Sequence, residues 1–248
     1  MSMKFMYEIY ESLPRCGPGD EGSARRAFEA MKGLPKNPYI LDIGCGTGMH
    51  TIDLAKISGG KIVAIDNHQP FLDILSHEAE RCGVGEHIRA NNMDMLKMDF
   101  PDETFDMIWS EGALYFMGFA KGLKKCRELL KPGGFLAVSE AAFFVPDPPE
   151  AIYQYMKTEY PDMKGVKENI SLIEDCGLEL ITHFHLPKSA WMDSFYKPMQ
   201  KVLNEMEIKY KDIPEAKEAV RFSREEIDYY RRYSDYYGYE FFVMRKST

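Results

Sequence analysis

Ile40-Leu41-Asp42-Ile43-Gly44-Cys45-Gly46-Thr47-Gly48 decides how this chain is read. Tyr39–Ile43 is a short apolar run of the kind that forms a buried strand. Three glycines at alternate positions follow it, and residues 47–58 carry a helical pattern. In an open α/β sheet, the loop after a central strand lies where strand order reverses, and ligands bind there. Glycines in such a loop let the backbone approach a ligand closely. A dinucleotide-type G-x-G-x-x-G would need its third glycine at position 49, where Met49 stands. Taken alone, the loop is also compatible with an ordinary strand-to-helix turn.

Working outward, strands alternate with helices. Lys61–Asp66 (KIVAID) reads as the second strand. Residues 70–82 read as a helix with Pro70 in its first turn, where the missing N–H costs little. Residues 87–91 and 105–110 (FDMIWS) read as strands three and four. A helix over 119–130 is stopped by Lys131-Pro132-Gly133-Gly134, and 135–140 (FLAVSE) is the fifth strand. This alternation predicts a parallel sheet with helices on both faces. Residues 141–161, rich in proline and aromatics, read as an insertion over the sheet's carboxyl edge. A helix over 166–176 and a sixth strand over 178–186 follow. Residues 187–210 and 214–237 are mostly helical. Ser223-Arg224-Glu225-Glu226 fits a capping box, so a helix is expected to restart there. Gly238 ends that helix, and 239–245 is the last strand.

Composition narrows the classes. The 248 residues are 45% hydrophobic and 28% charged, a globular balance, with net charge -8. An acidic total argues against a nucleic-acid partner. No run approaches the ~20 apolar residues of a membrane span, and the first residues lack the apolar core of a secretory signal. A cytoplasmic location is the expectation. Cys16, Cys45, Cys82, Cys126 and Cys176 form no CxxC pair and are odd in number. Free thiols and no metal site are therefore expected.

Two further motifs carry a resemblance. Asp66 ends the second strand 18 residues after Gly48, where a carboxylate can accept from ribose hydroxyls. A turn aspartate is its bland alternative. Asp94-Met95-Leu96-Lys97-Met98-Asp99-Phe100-Pro101-Asp102-Glu103-Thr104-Phe105-Asp106 resembles the D-A-x-x-L-P-F-P-D-x-S-F-D run of ubiquinone/menaquinone-type methyltransferases. Asp99 stands where that family often has Pro, and Met98 where it has Leu. The D-x-G-x-G-x-G loop from Asp42 to Gly48 resembles motif I of the S-adenosylmethionine methyltransferases, and Leu129-Leu130-Lys131-Pro132-Gly133-Gly134 resembles their L-K-P-G-G turn. The chain thus resembles the class I S-adenosylmethionine-dependent methyltransferases of the type 11/25 group. Ser12 to Gly19, Trp109-Ser110-Glu111-Gly112-Ala113 and Tyr237-Gly238-Tyr239 are similar to a bacterial and archaeal subgroup.

The resemblance implies an α/β, Rossmann-like, seven-stranded sheet of order 3-2-1-4-5-7-6, strand 7 antiparallel, with helices on both faces and a small helical cap. It implies one domain over 1–248, an N-terminal lid over about 1–36, and cap insertions over about 141–165 and 187–237. S-adenosylmethionine is the implied methyl donor and S-adenosylhomocysteine its product. Asp42, Gly44, Cys45, Gly46 and Gly48 form the donor loop. Asp66 takes the ribose and Asn67 packs on adenine. Asp94 accepts from the adenine amino group, and the Met95 backbone N–H reaches the ring. Ser110 and Arg15 complete the donor side.

The acceptor side is less marked. Enzymes that methylate exocyclic base amines carry D/N-P-P-Y/F where this chain has Ser110-Glu111-Gly112-Ala113, which argues against that reaction. Methyl transfer from a sulfonium is an in-line displacement in which positioning and water exclusion do much of the work. A base is needed only if the acceptor begins protonated. Glu111 and Tyr115 are the catalytic candidates; Glu111 could equally bind the donor or a backbone N–H, and Tyr115 could simply be packed. Arg15 could pair with the donor carboxylate or lie at the surface, and Tyr7 belongs to the same lid. Trp191, Phe195 and Tyr196 read as an acceptor-pocket wall or as helix core. Tyr229, Tyr230, Tyr233, Tyr236 and Tyr237 read as packing, and His183 and His185 as structural. The leading expectation is a small-molecule methyltransferase, monomeric or homodimeric. A protein or RNA methyltransferase and a cofactor-binding domain without catalysis are its alternatives. Met49 and the run from Asp94 to Asp106 count against a nicotinamide dehydrogenase.

Overall fold

The computed structural model describes residues 2–247; Met1 and Thr248, the ends of the expected lid and domain, lie outside the described residues. Strand β1 (Tyr39–Ile43) is buried at every position but the first, as a central strand covered on both faces must be. It pairs in parallel with β2 (Lys61–Asp66) on one side and with β4 (Phe105–Glu111) on the other. β3 (Ile88–Asn92) lies outside β2. β5 (Leu130–Phe143) continues the parallel set beyond β4. A two-residue strand β6 (Lys164–Gly165) pairs with the end of β5. β8 (Tyr237–Lys246) runs antiparallel between β5 and β7 (Leu178–His185). The order β3-β2-β1-β4-β5-β8-β7 is the expected topology, renumbered because β6 is added.

One face of the sheet packs α1 (Met3–Glu11), α2 (Glu21–Ala30), α3 (Met49–Ser58) and α4 (Gln69–Arg81). Further along the chain, α6 (Glu150–Glu159), the short α8 (Lys188–Trp191), α9 (Lys197–Lys209) and α10 (Pro214–Tyr233) join that cluster. Met192–Tyr196 forms a π-turn between α8 and α9. α5 (Phe119–Leu129) and α7 (Val166–Asp175) cover the other face. Spacing explains these choices. α4 buries Phe71, Leu72, Leu75 and Ala79 on one stripe behind Pro70.

Three local readings are corrected. No helix restarts at Ser223: α10 is continuous, and Ser223 is buried on the stripe with Ala216, Ala219, Val220, Ile227 and Tyr230. A helical stripe and a capping box both leave a small polar residue before acids, and packing decided between them. The Lys131-Pro132-Gly133-Gly134 turn lies inside β5. Leu130 pairs with Phe105 and Phe135 with Met107, so the segment between bulges out of the ladder. Gly238 sits within β8 opposite Ala142; a Cβ there would come within 3.0 Å of the Phe144 ring.

Glu240 on β8 is buried, with His183 Nδ1 2.5 Å from Oε1 and His185 Nδ1 on Oε2. The sequence offers these histidines no nearby carboxylate; the strand pairing supplies one. Among the described residues all five cysteines are unpaired, and no helix is long and apolar enough to cross a membrane.

Candidate active site

The carboxyl ends of β1, β2 and β4 open onto a cavity of about 640 Å³. At β1 the chain turns through Gly44 (φ +74), whose missing Cβ would stand 2.4 Å from the Ala113 methyl. Gly48 (φ +85) caps α3 and leaves room for Leu75, 2.1 Å from where its Cβ would be. Both positions require glycine for conformation and for space. The Gly44 and Cys45 N–H groups bond the Ile65 carbonyl at 2.9 and 3.0 Å, fixing the loop to the end of β2.

Asp66 accepts from the Gly46 N–H (3.0 Å) and the His68 N–H (3.0 Å). Burial raises its pKa, and these backbone donors oppose the shift. Asp94 accepts from the Leu96 N–H at 2.9 Å and lies 3.6 Å from the Lys97 ammonium.

Eight of the expected donor-side residues line the cavity: Arg15, Gly44, Cys45, Gly46, Asp66, Asn67, Asp94 and Met95. Asp42, Gly48 and Ser110 stand behind it. Asp42 is fully buried, accepts from the Thr51 hydroxyl at 2.6 Å and lies 3.3 Å from His50 Nε2, bracing the start of α3. Ser110 donates to the Ile43 carbonyl at 3.0 Å and ties β4 to β1.

Glu111 is fully engaged. It accepts from Arg15 Nη2 at 3.1 Å and from Trp109 Nε1 at 2.9 Å. Both sides of the Arg15–Glu111 pair are buried, so the arginine is bound to the end of β4. Cys16, the next residue, donates to Thr47 at 3.7 Å and lies over Gly46. Burial pushes its thiol up to about 11.

α1 bridges the two halves of the site. Tyr7 stacks on His68 at 3.9 Å, and His68 Nε2 lies 2.6 Å from Glu11. On the opposite side Glu8 bonds Lys209 Nζ and the Tyr210 hydroxyl, both at 2.8 Å.

Tyr7, Tyr115, Trp191 and Tyr196 all line the cavity. The structure adds Tyr10, Tyr155, Tyr160, Tyr239, Glu159 and Glu226, which sequence reasoning missed. Tyr155 and Glu159 share the helical spacing of Ile152 and Met156, a signal present in the segment read as an insertion. Glu226 was read as part of a cap. It sits on α10 with its Oε1 accepting from the Tyr196 hydroxyl at 2.9 Å, and burial raises it to about 7. Behind this wall the Tyr160 hydroxyl donates to Glu140 at 2.6 Å, and burial lifts Glu140 to about 8.

A family model described as "Methyltransferase domain" matches residues 40–134, the stretch from β1 to the β5 bulge. A sterol 24-C-methyltransferase from Eremothecium gossypii is 30% identical over 109 residues; the match covers 44% of this chain and 29% of that enzyme. The chain therefore spans well under half of that relative. YJHP from E. coli superposes with a TM-score of 0.83 at 20% identity, covering 98% of this chain and 99% of that one. A methyltransferase from Thiobacillus denitrificans, solved with S-adenosylhomocysteine, gives a TM-score of 0.81 at 20% identity, covering 96% of this chain and 97% of that one. Residues 40–134 thus match the methyltransferase-domain family, and the strand order and superpositions give the whole chain the fold of those methyltransferase structures.

Proposed function

We propose that the chain binds S-adenosylmethionine and transfers its methyl group to a small-molecule acceptor. One observation carries the reading: a single cavity joins the glycine loop, Asp66 and Asp94 to an aromatic chamber under α1, α6 and α10. The first half suits a nucleoside. The Asp66 carboxylate accepts from ribose hydroxyls, Asp94 and the Met95 N–H meet adenine, and the backbone at Gly44–Gly46 lies against the amino-acid part. Asp42, Gly48 and Ser110 hold the loop in shape without touching the donor.

Chemically, the donor arrives activated. A nucleophile in the chamber attacks the methyl carbon in line, and the thioether departs. What the protein supplies is alignment and the exclusion of water. The segment from Arg15 to Pro18 closes one wall, so residues 1–36 act as a lid latched by the Arg15–Glu111 pair. Residues 141–165 and 187–237 act as caps. Because both Glu111 oxygens are occupied, Glu111 serves as the latch and not as a free base. Tyr115 shapes the chamber beside Tyr160, 5.3 Å away ring to ring.

A cavity of about 640 Å³ lies within the usual range for small-molecule sites, which favours a small acceptor over a protein or RNA strand. The match to the sterol enzyme covers 44% of this chain and 29% of that enzyme, so its acceptor is not carried over. Calorimetry with S-adenosylmethionine and S-adenosylhomocysteine tests the proposal. Micromolar binding of both is expected, and no heat at high micromolar ligand would sink it.

A further inference from the structure

The acids on the chamber's walls divide into two kinds. Asp66 and Asp94 belong to the donor half, and Glu111 is held by Arg15 and Trp109. Glu226 and Glu159 remain. Glu226 receives one hydrogen bond, from the neutral Tyr196 hydroxyl, and Glu159 is the like charge that faces it. Among the described residues neither has a cationic partner. Arg15 is the one lysine or arginine lining the cavity, and it is already paired. Two carboxylates that repel each other in a partly desolvated chamber lack a cation.

The walls around them are aromatic. Tyr155, Tyr160, Tyr196 and Tyr239 line the chamber with Trp191. Such rings present negative faces to a cation. Trp191 is 5% exposed and lines the same chamber.

We infer that the acceptor is a primary or secondary amine, recognised as its ammonium by Glu226, Glu159 and the surrounding rings. This rests on the methyltransferase reading above and names its substrate class. Transfer needs the nitrogen lone pair, so the bound ammonium gives one proton to the Glu226 carboxylate. The nitrogen then forms its bond to the methyl carbon as the carbon–sulfur bond breaks. The electron pair stays on sulfur, leaving the neutral thioether and a methylated ammonium. Burial raises Glu226 to about 7, which suits a group that takes and returns a proton near neutrality.

Three probes of matched shape test this: 2-phenoxyethylamine, 2-phenoxyethanol and phenoxyacetate. Each is titrated calorimetrically at pH 8 into protein saturated with S-adenosylhomocysteine. The amine is expected to bind at least tenfold tighter than the alcohol, and the carboxylate weakest. With S-adenosylmethionine, labelled methyl should appear on the amine nitrogen. Glu226→Gln should bring the amine within about threefold of the alcohol while S-adenosylhomocysteine still binds. Glu159→Gln, at the exposed rim, should cut the amine preference by about threefold, and it remains informative if Glu226→Gln does not fold. Equal or tighter binding of the alcohol or carboxylate overturns the inference, as does an amine preference that survives Glu226→Gln. So does the absence of amine binding to protein that holds S-adenosylhomocysteine. Failure to bind S-adenosylhomocysteine at all overturns the broader methyltransferase reading instead.

Discussion

Both oxygens of Asp66 hold backbone N–H groups, at Gly46 and at His68, so the carboxylate shapes the glycine loop as well as facing the cavity. Asp66→Ala should weaken S-adenosylhomocysteine binding by roughly 1–3 kcal/mol, the range for hydrogen bonds to a charged group. Calorimetry reads this directly, and an unchanged affinity would remove Asp66 from the donor site. Glu140 makes a different case. It is buried against Tyr160 with one oxygen unpartnered, and burial lifts it from 4.5 to about 8. Glu140→Gln keeps the shape and an acceptor for the tyrosine but cannot ionise. At pH 9 the variant should be more stable by on the order of 4 kcal/mol, a rise in Tm of roughly 8–16 °C. At pH 5 it should gain little. Thermal melts at the two pH values compare them.

At the scale of elements, α1 is the piece that joins the end of β2 to α9. Tyr7 and Glu11 meet His68, while Glu8 meets Lys209 and Tyr210 on the far side. Burial pushes the Glu8 carboxyl up, but the bonds from Lys209 and Tyr210 prevail and leave it lowered. A lowered carboxylate stabilises above its unfolded pKa, and that contribution is lost as pH falls through the folded value. The tie between α1 and α9 should therefore loosen in acid. Glu8→Ala should do the same at neutral pH. An exposed ion pair is worth about 0–1 kcal/mol, so global stability should hardly change. Amide exchange in α1 should accelerate, and S-adenosylhomocysteine should dissociate faster. Exchange mass spectrometry localised to residues 3–11 checks the first, and stopped-flow the second. If exchange in α1 is unchanged, Glu8 does not anchor it.

For the whole molecule, Glu140 and Glu226 set a common direction. Each holds its proton more tightly folded than unfolded, up to about 8 and about 7. The folded state then binds more protons between the ordinary carboxylate range and those values, so stability falls as pH rises through that window. Denaturant melts from pH 5 to pH 9 should show the decline, and the Glu140→Gln, Glu226→Gln double variant should flatten it. The sheet and the glycine loop were legible in the sequence because their information is local. A buried strand needs its own apolar run, a tight loop needs its own glycines, and Asp66 ends β2 while Asp94 stands two residues beyond β3. Boundaries that depended on competing local patterns were not. The residues from Lys131 to Gly134 became a bulge inside β5 because Leu130 could still pair with Phe105. Ser223 became helix interior because its stripe found a core to bury against. The aromatic chamber was the least legible part. Tyr10, Glu159, Tyr196 and Glu226 come from α1, α6, the π-turn and α10, and no spacing along the chain relates them. By itself the sequence determined the sheet and the glycine loop at the end of β1. Only the tertiary structure decided that Glu111 is locked by Arg15 while Glu226 is left facing the cavity, because a carboxylate's role depends on which charges the fold brings beside it.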